Sequence, residues 1–320
     1  MRKDSKQQRS ISLAQVQGYH QGAYNGHYAY QGFTARKYFT SDRYIPLDEN
    51  FQRPDGKPLQ GYGLEIETEC QGIRSQDVLA EVLDKIIFAQ FPADLFKMQR
   101  DGSLGGQSSA ECITQVMTKA FIRNQYQAFR AMYDAYFPAF QISCSASGAC
   151  GMHVNVSLAC LGKTAKAQED ATKKLLYIVN RHYDLICHLT ARNPARTLYC
   201  SKMQRYTVKR NCQDADLSCA DSDHGVCFNL GHYRKGRIEL RIVGGQSTFG
   251  CFRNTMESVF HLVEKASRLP WSALDDVGLI FTGCNQYVFD RLNTKCKQAG
   301  VISHSQLEYI RQTVVHEDLV

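Results

Sequence analysis

The chain has 320 residues, with 38 Lys and Arg against 31 Asp and Glu, a formal charge of +7, and 43% hydrophobic residues. That apolar content fills one large domain or two modest ones, which excludes a low-complexity chain, and no apolar run approaches the ~20 residues that cross a bilayer. Lys and Arg form no long block and no recognised nucleic-acid motif, so the positive balance suits a polyphosphate pocket better than DNA or RNA.

The opening "MRKDSKQQRSISLAQ" is basic but lacks an apolar h-region, which predicts no secretory signal and a cytoplasmic protein. The 13 cysteines include no C-x-x-C pair and read as reduced thiols packed like small apolar residues. Cys144 and Cys150 with His153 supply zinc-type ligands, but a fourth at structural-site spacing is missing. Residues 1–58 form a polar, Tyr-rich extension without hydrophobic period.

Gly61–Cys70, "GYGLEIETEC", is the first strand. Gln76–Phe91 has helical apolar spacing with Ser75 as its cap. "FKMQRDGSLGGQSSAECITQV" reads as strand, turn, strand, and a helix follows over Lys119–Tyr136, ending before Pro138. Strands at Phe140–Ser145 and Met152–Leu158 precede a long helix over Ala165–Thr190. The basic stretch "SKMQRYTVKRN" leads to strands at Val226–Leu230 and Arg237–Val243 and a helix over Arg253–Ser267. Two further helices, Tyr287–Gln298 and Ser305–Val315, belong to a helical segment 271–320 packed on a 59–270 core. Strands joined by short turns and alternating with helices predict an α+β fold, a mostly antiparallel sheet with helices on one side. The absence of G-x-G-x-x-G and of a P-loop argues against dinucleotide and P-loop folds.

Three strands share one design. Side chains alternate with period two, so Glu65, Glu67 and Glu69 line one face, roughly 6.6 Å apart, with Leu64, Ile66 and Thr68 behind. His153, Asn155 and Ser157 share a face in "MHVNVS", as do Arg237, Glu239 and Arg241 in "RIELRI". A solvated sheet face explains any one of them. Together they carry hard-cation ligands and an anion clamp, joined by Asp101 in "RDGS" and Glu111 in "SAEC". Asp101 also suits a simple Asp-Gly turn. Carboxylates two apart on a strand suit a pair of ions about 4 Å apart, and oxygen ligands suit Mg²⁺ or Mn²⁺. The ions would relieve the repulsion among the glutamates.

In order, "GLEIE", "DGS" then "AE", "GMHVNVS" and "RIELR" resemble the amidoligase branch of the carboxylate–amine ligase superfamily, which includes glutamine synthetase and glutamate–cysteine ligase. The resemblance covers residues 60–245; "LTARNPARTLYC" and "FNL" also look familial. It implies a glutamine synthetase-like sheet curved around a site for ATP, two or more Mg²⁺ or Mn²⁺ ions, a carboxylate and an amine. By position, Glu65 and Glu67 would hold different metals. Glu111 with Asp101 would complete one metal site, and His153 with Glu239 the other. Arg241 would contact the transferring phosphoryl group, with Glu67 and Asp101 beside it in the catalytic set. Asn155, Ser157, Arg205 and Arg210 would bind nucleotide phosphate or substrate carboxylate. Family members often show His-x-His where this chain has His153 and Asn155, and the amide adds no charge there.

The implied reaction is ATP-dependent formation of an amide or isopeptide bond through an acyl phosphate, on a free amino acid, a peptide or a protein side chain. The resemblance leaves room for an oligomer, because related synthetases build sites between subunits. Two other readings stay open: a non-catalytic basic module that keeps the fold, and a phosphotransferase with a different acceptor.

Overall fold

The computed structural model describes residues 33, 35–41, 43–48, 51–71, 76–99, 109–144, 150–195, 200–218 and 225–316. Ser75 and Asp101 lie outside them. Ten strands, β1 (Lys37–Phe39), β2 (Tyr44–Pro46), β3 (Tyr62–Cys70), β4 (Phe96–Gln99), β5 (Ser109–Thr114), β6 (Val116–Met117), β7 (Ile142–Ser143), β8 (Met152–Ser157), β9 (Phe228–Asn229) and β10 (Arg237–Leu240), make one sheet. It is mixed but mostly antiparallel; β1 runs parallel to β6.

β3 is the longest strand and the spine. One edge pairs with β5 and β6, the other with β8 and β7, and β10 and β9 extend the sheet beyond β8. Thr114 and Gln115 carry the chain from β5 to β6 by lending side chains to the pairing. The Leu64 N–H donates to Thr114 Oγ1 at 2.8 Å. Gln115 accepts from the Lys37 N–H at 2.8 Å and donates to the Ala35 carbonyl at 2.6 Å. These bonds bring β1 into the sheet, although the sequence assigns it to a peripheral extension. Its three residues are too short to show a period, which is why the pattern misses it.

The back of the sheet is apolar as the alternation requires: Leu64, Ile66, Met152, Val154, Val156 and Ile238 are essentially inaccessible. They join a core shared with the helices, where Tyr62 meets Phe260 at 4.7 Å and Phe129 stacks on Phe252 at 4.4 Å. The long helix Phe249–Arg268 starts at the Thr248 cap and lies in this layer beside Ala165–Arg181. No helix among the described residues is long and apolar enough to cross a membrane. Burial pushes the thiols of Cys187, Cys284 and Cys296 up to about 12, consistent with cysteines used as apolar packers.

Several helices break where tertiary bonds outcompete the local pattern. The predicted 165–190 helix stops at Arg181 and restarts at Tyr183, because His182 turns out of helical geometry and bonds the Leu274 carbonyl at 2.9 Å. The Gln76 helix ends at Val82 and continues as a π turn and a 3₁₀ turn to Gln90. Pro138 does not end the preceding helical run. It sits in the first turn of Phe137–Ala139, where no N–H partner is needed.

The C-terminal segment docks through His261. Its Nε2 donates to the Ile280 carbonyl at 2.8 Å and its ring stacks on Phe281. Burial drives its pKa from 6.5 down to about 4, and the charges of Lys265 and Lys119 push the same way against the Ile280 bond. Below pH 6.5 the unfolded chain takes up a proton that the folded chain refuses until about pH 4. The wild type should therefore lose about 3 kcal/mol more stability than His261→Gln as pH falls through this window. Urea melts across the window check it; parallel curves would contradict it.

Candidate functional site

Register decides which polar side chains meet. Glu67 stands opposite Glu111, and Glu65 opposite His153. Gly63, Asn155, Glu239 and Asn229 form one row across β3, β8, β10 and β9. Antiparallel partners share a face. One sheet face therefore gathers Glu65, Glu67, Glu111, His153, Asn155, Glu239 and Asn229, opposite the apolar back. Asn155 leans across toward β3 and donates to Glu65 Oε1 at 2.7 Å.

This face is not a solvated one. Glu67, His153 and Glu239 are each only 5% exposed, and Asn155 is 7% exposed. His153 sits at the centre: Nδ1 lies 3.3 Å from both Glu65 and Glu239, and Nε2 lies 3.6 Å from Glu67. Glu239 also accepts from Asn229 at 2.9 Å and from Arg241 at 2.7 Å, and Glu67 accepts from the Gly151 N–H. Burial alone would raise the Glu65 carboxyl. Hydrogen bonds from His153 and Asn155, with the charges of His153 and Arg237, outweigh it and hold the group below the ordinary value.

A β-bulge begins at Arg241, which shares the face of Glu239. The Arg241 and Ile242 N–H groups both donate to the Cys227 carbonyl, at 3.0 and 3.1 Å. From the Leu240–Val154 pair to the Gly244–Gly151 bridge, four steps on one strand match three on the other. The extra residue re-aims the chain, as bulges beside functional sites do. It also explains why the predicted strand Arg237–Val243 is regular only to Leu240.

Sequence reasoning missed Arg192. It follows Ala191, held in the left-handed region at φ 63°, where a residue other than glycine costs about 1–2 kcal/mol. Arg192 Nη2 donates to the Val243 carbonyl at 2.8 Å, and a Cβ added to Gly151 would sit 2.9 Å from Nη2 and 3.3 Å from Glu67 Oε2. Glycine at 151 thus lets a guanidinium and a carboxylate close in on the same backbone. No local pattern flags Arg192; only its place in the familial-looking "LTARNPARTLYC" does. Asn229, in "FNL", was likewise unassigned.

The predicted ligands Glu65, Glu67, Glu111, His153 and Glu239 come together with Arg241 and Asn155; His153 lies beside Glu239 and Glu67, as one of the two implied sets requires, while Asp101 of the other is outside the described residues. Glu65, Glu111 and His153 form one group whose ligand atoms lie within 4.8 Å of one another. Ser157, by contrast, ends its strand by accepting the Ala159 N–H at 3.3 Å, a local cap. Arg205 and Arg210 are exposed on short helical turns packed against Ala165–Arg181. Arg205 lies over the Tyr206 ring and Arg210 beside Asp214, so neither joins the acidic face. Their basic cluster was legible as charge, but charge alone does not say which face it decorates. Asp101 lies outside the described residues.

Three buried polar atoms of the cluster, Asn155 Oδ1, Arg192 Nε and Arg241 Nε, have no hydrogen-bond partner among the described residues. Each such atom costs about 1–3 kcal/mol. Oxygen-rich ligands, a histidine and underused guanidiniums fit a divalent cation carrying an anion. No protein-family model matches the chain, and no curated protein matches it significantly.

Proposed function

We propose that the chain is an ATP- and Mg²⁺-dependent carboxylate–amine ligase built on a glutamine synthetase-like curved sheet. The observation that carries the reading is the convergence of half-buried Glu65 and Glu111 and buried His153 on one sheet face, with Glu67, Glu239 and Arg241 around them. Glu65, Glu111 and His153 would hold one ion, and Glu67 and Glu239 flank it. A bound Mg²⁺ or Mn²⁺ supplies neutralising charge to phosphate oxygens.

The chain's own groups have distinct tasks in this reading. Arg241, anchored at one nitrogen by Glu239, keeps other N–H donors for the phosphoryl group, where positioned positive charge does most of the catalytic work. Arg192 adds a second guanidinium at the same end. Asn155 donates one amide N–H to Glu65 and so fixes that carboxylate, with its second N–H left for a phosphate oxygen. His153 is hemmed in by three carboxylates and serves as a ligand, not as a general base. The γ-phosphoryl group passes to a substrate carboxylate, ADP leaves, and an amine displaces phosphate from the acyl carbon.

A second reading, a binding module without catalysis, draws on the internal bonding of the cluster: Glu65 and Glu239 already have protein partners. Hydroxylamine separates the two. Supplied with ATP, Mg²⁺ and a panel of carboxylic acids, the protein should yield a hydroxamate from at least one acid. ATP turnover without hydroxamate would point to phosphorylation alone, and neither product would favour the binding module.

A further inference from the structure

On the helical side of the sheet, away from the acidic face, lies a polar cavity. It opens between the start of the Lys119–Asn124 helix, the Phe249–Arg268 helix and the Thr282–Asn285 loop, with a volume of about 330 Å³. That is the lower end of the size range for small-molecule sites. Its charged wall comprises Lys119, Arg123, Lys265 and Arg268 against Glu257 and Glu264.

Both acids are already answered. Buried Glu257 takes a two-pronged bond from Arg123 at 2.9 and 2.6 Å, with Tyr126 at 2.6 Å and Asn285 at 2.8 Å filling its remaining lone pairs. Glu264 pairs with Arg268 at 2.7 Å. Lys119 and Lys265 lack an anion: among the described residues neither has a carboxylate within ion-pair distance, and Lys119 has only the face of the Phe260 ring, 5.6 Å away. Both are half-buried and both act on the neutral ring of His261. Burial lowers the Lys265 pKa, with Glu264 acting only from a distance. Two ammonium groups facing one partly dry cavity repel each other and lack the counter-charge that would offset their desolvation.

We propose that this cavity binds a small oxyanion, a phosphate or carboxylate group, between Lys119 and Lys265. Ammonium groups hold such anions as point charges, and Arg268 at the mouth adds a third donor. An adjoining cavity of about 390 Å³ shares Lys119, Glu264 and Arg268 and is walled by Tyr38, Tyr62 and Phe260. It gives room for a larger, partly apolar body behind the anionic head.

The full chain is titrated with inorganic phosphate and, separately, with succinate, at constant ionic strength set with chloride. The His261 ring resonance is followed by NMR. A response to phosphate identifies the phosphate class, and a response to succinate the carboxylate class. In either case the His261 pKa should rise by about one unit on saturation, because the anion screens both lysines. Affinity should fall about tenfold or more in Lys119→Gln and in Lys119→Gln/Lys265→Gln, and persist in Lys265→Arg, which keeps the charge. No response of His261 to either anion, or an undiminished response in Lys119→Gln, would overturn the proposal.

Discussion

On the proposed ligase reading, Glu239→Ala is expected to lower Mg²⁺-dependent ATP turnover about a thousandfold, and Glu67→Ala to do the same. Glu239 joins the acidic face to its arginine: one oxygen touches Arg241 at 2.7 Å and His153 at 3.3 Å, and the other takes the Asn229 amide at 2.9 Å. Its removal strips a carboxylate from the cluster and frees Arg241 to swing. It also leaves Arg241 without its anion, at a stability cost of about 3 kcal/mol. Glu239→Gln separates the two effects. The amide oxygen still accepts from Arg241, but the group carries no charge and turns its NH2 toward the Asn229 amide, so the urea midpoint should recover only in part while turnover stays low. Turnover assays paired with urea midpoints test this; wild-type turnover in either alanine variant contradicts the assignment.

The second large effect lies in backbone packing. Gly245→Ala should destabilise the fold by about 3 kcal/mol and remove the activity with it. A Cβ at 245 would collide with the Cys144 carbonyl oxygen, and one at 244 with the Ala191 carbonyl oxygen, both backbone atoms that no rotamer change can clear. The segment Ile242–Gly245 is wedged between these carbonyls, and its Val243 oxygen holds Arg192. Gly236→Ala is the control. Gly236 has φ 84° with open space around it, so it should cost only the ~1 kcal/mol of left-handed backbone. Equal urea midpoints for the 245 variant and the wild type would contradict this picture.

The acidic face was legible because a strand's period is two and cannot be disguised: Glu65, Glu67, His153, Asn155 and Glu239 fall together once β3, β8 and β10 are neighbours. Which strands adjoin is not written in any one of them. Pairing of β3 with β8 sets His153 among three carboxylates and puts Glu65 with Glu111 and His153 in one group. The bulge at Arg241 was hidden because its cause is a shared carbonyl on another strand. Arg192 was hidden because a left-handed Ala191 delivers it. Arg205 and Arg210 differ: they form a visible charge run whose exposed side chains pair locally, with Tyr206 and Asp214, rather than with a carboxylate of the acidic face.

Manganese binding tests the central claim most directly, with no assumption about substrate. Free Mn²⁺ is read by its paramagnetic resonance signal as protein is added, for the wild type and for Glu65→Gln/Glu111→Gln. The wild type should take up the ion, more tightly with ATP present, and the double variant should bind at least about a hundredfold more weakly while still folded. Equal uptake by both proteins, or none by the wild type with or without ATP, would contradict the account.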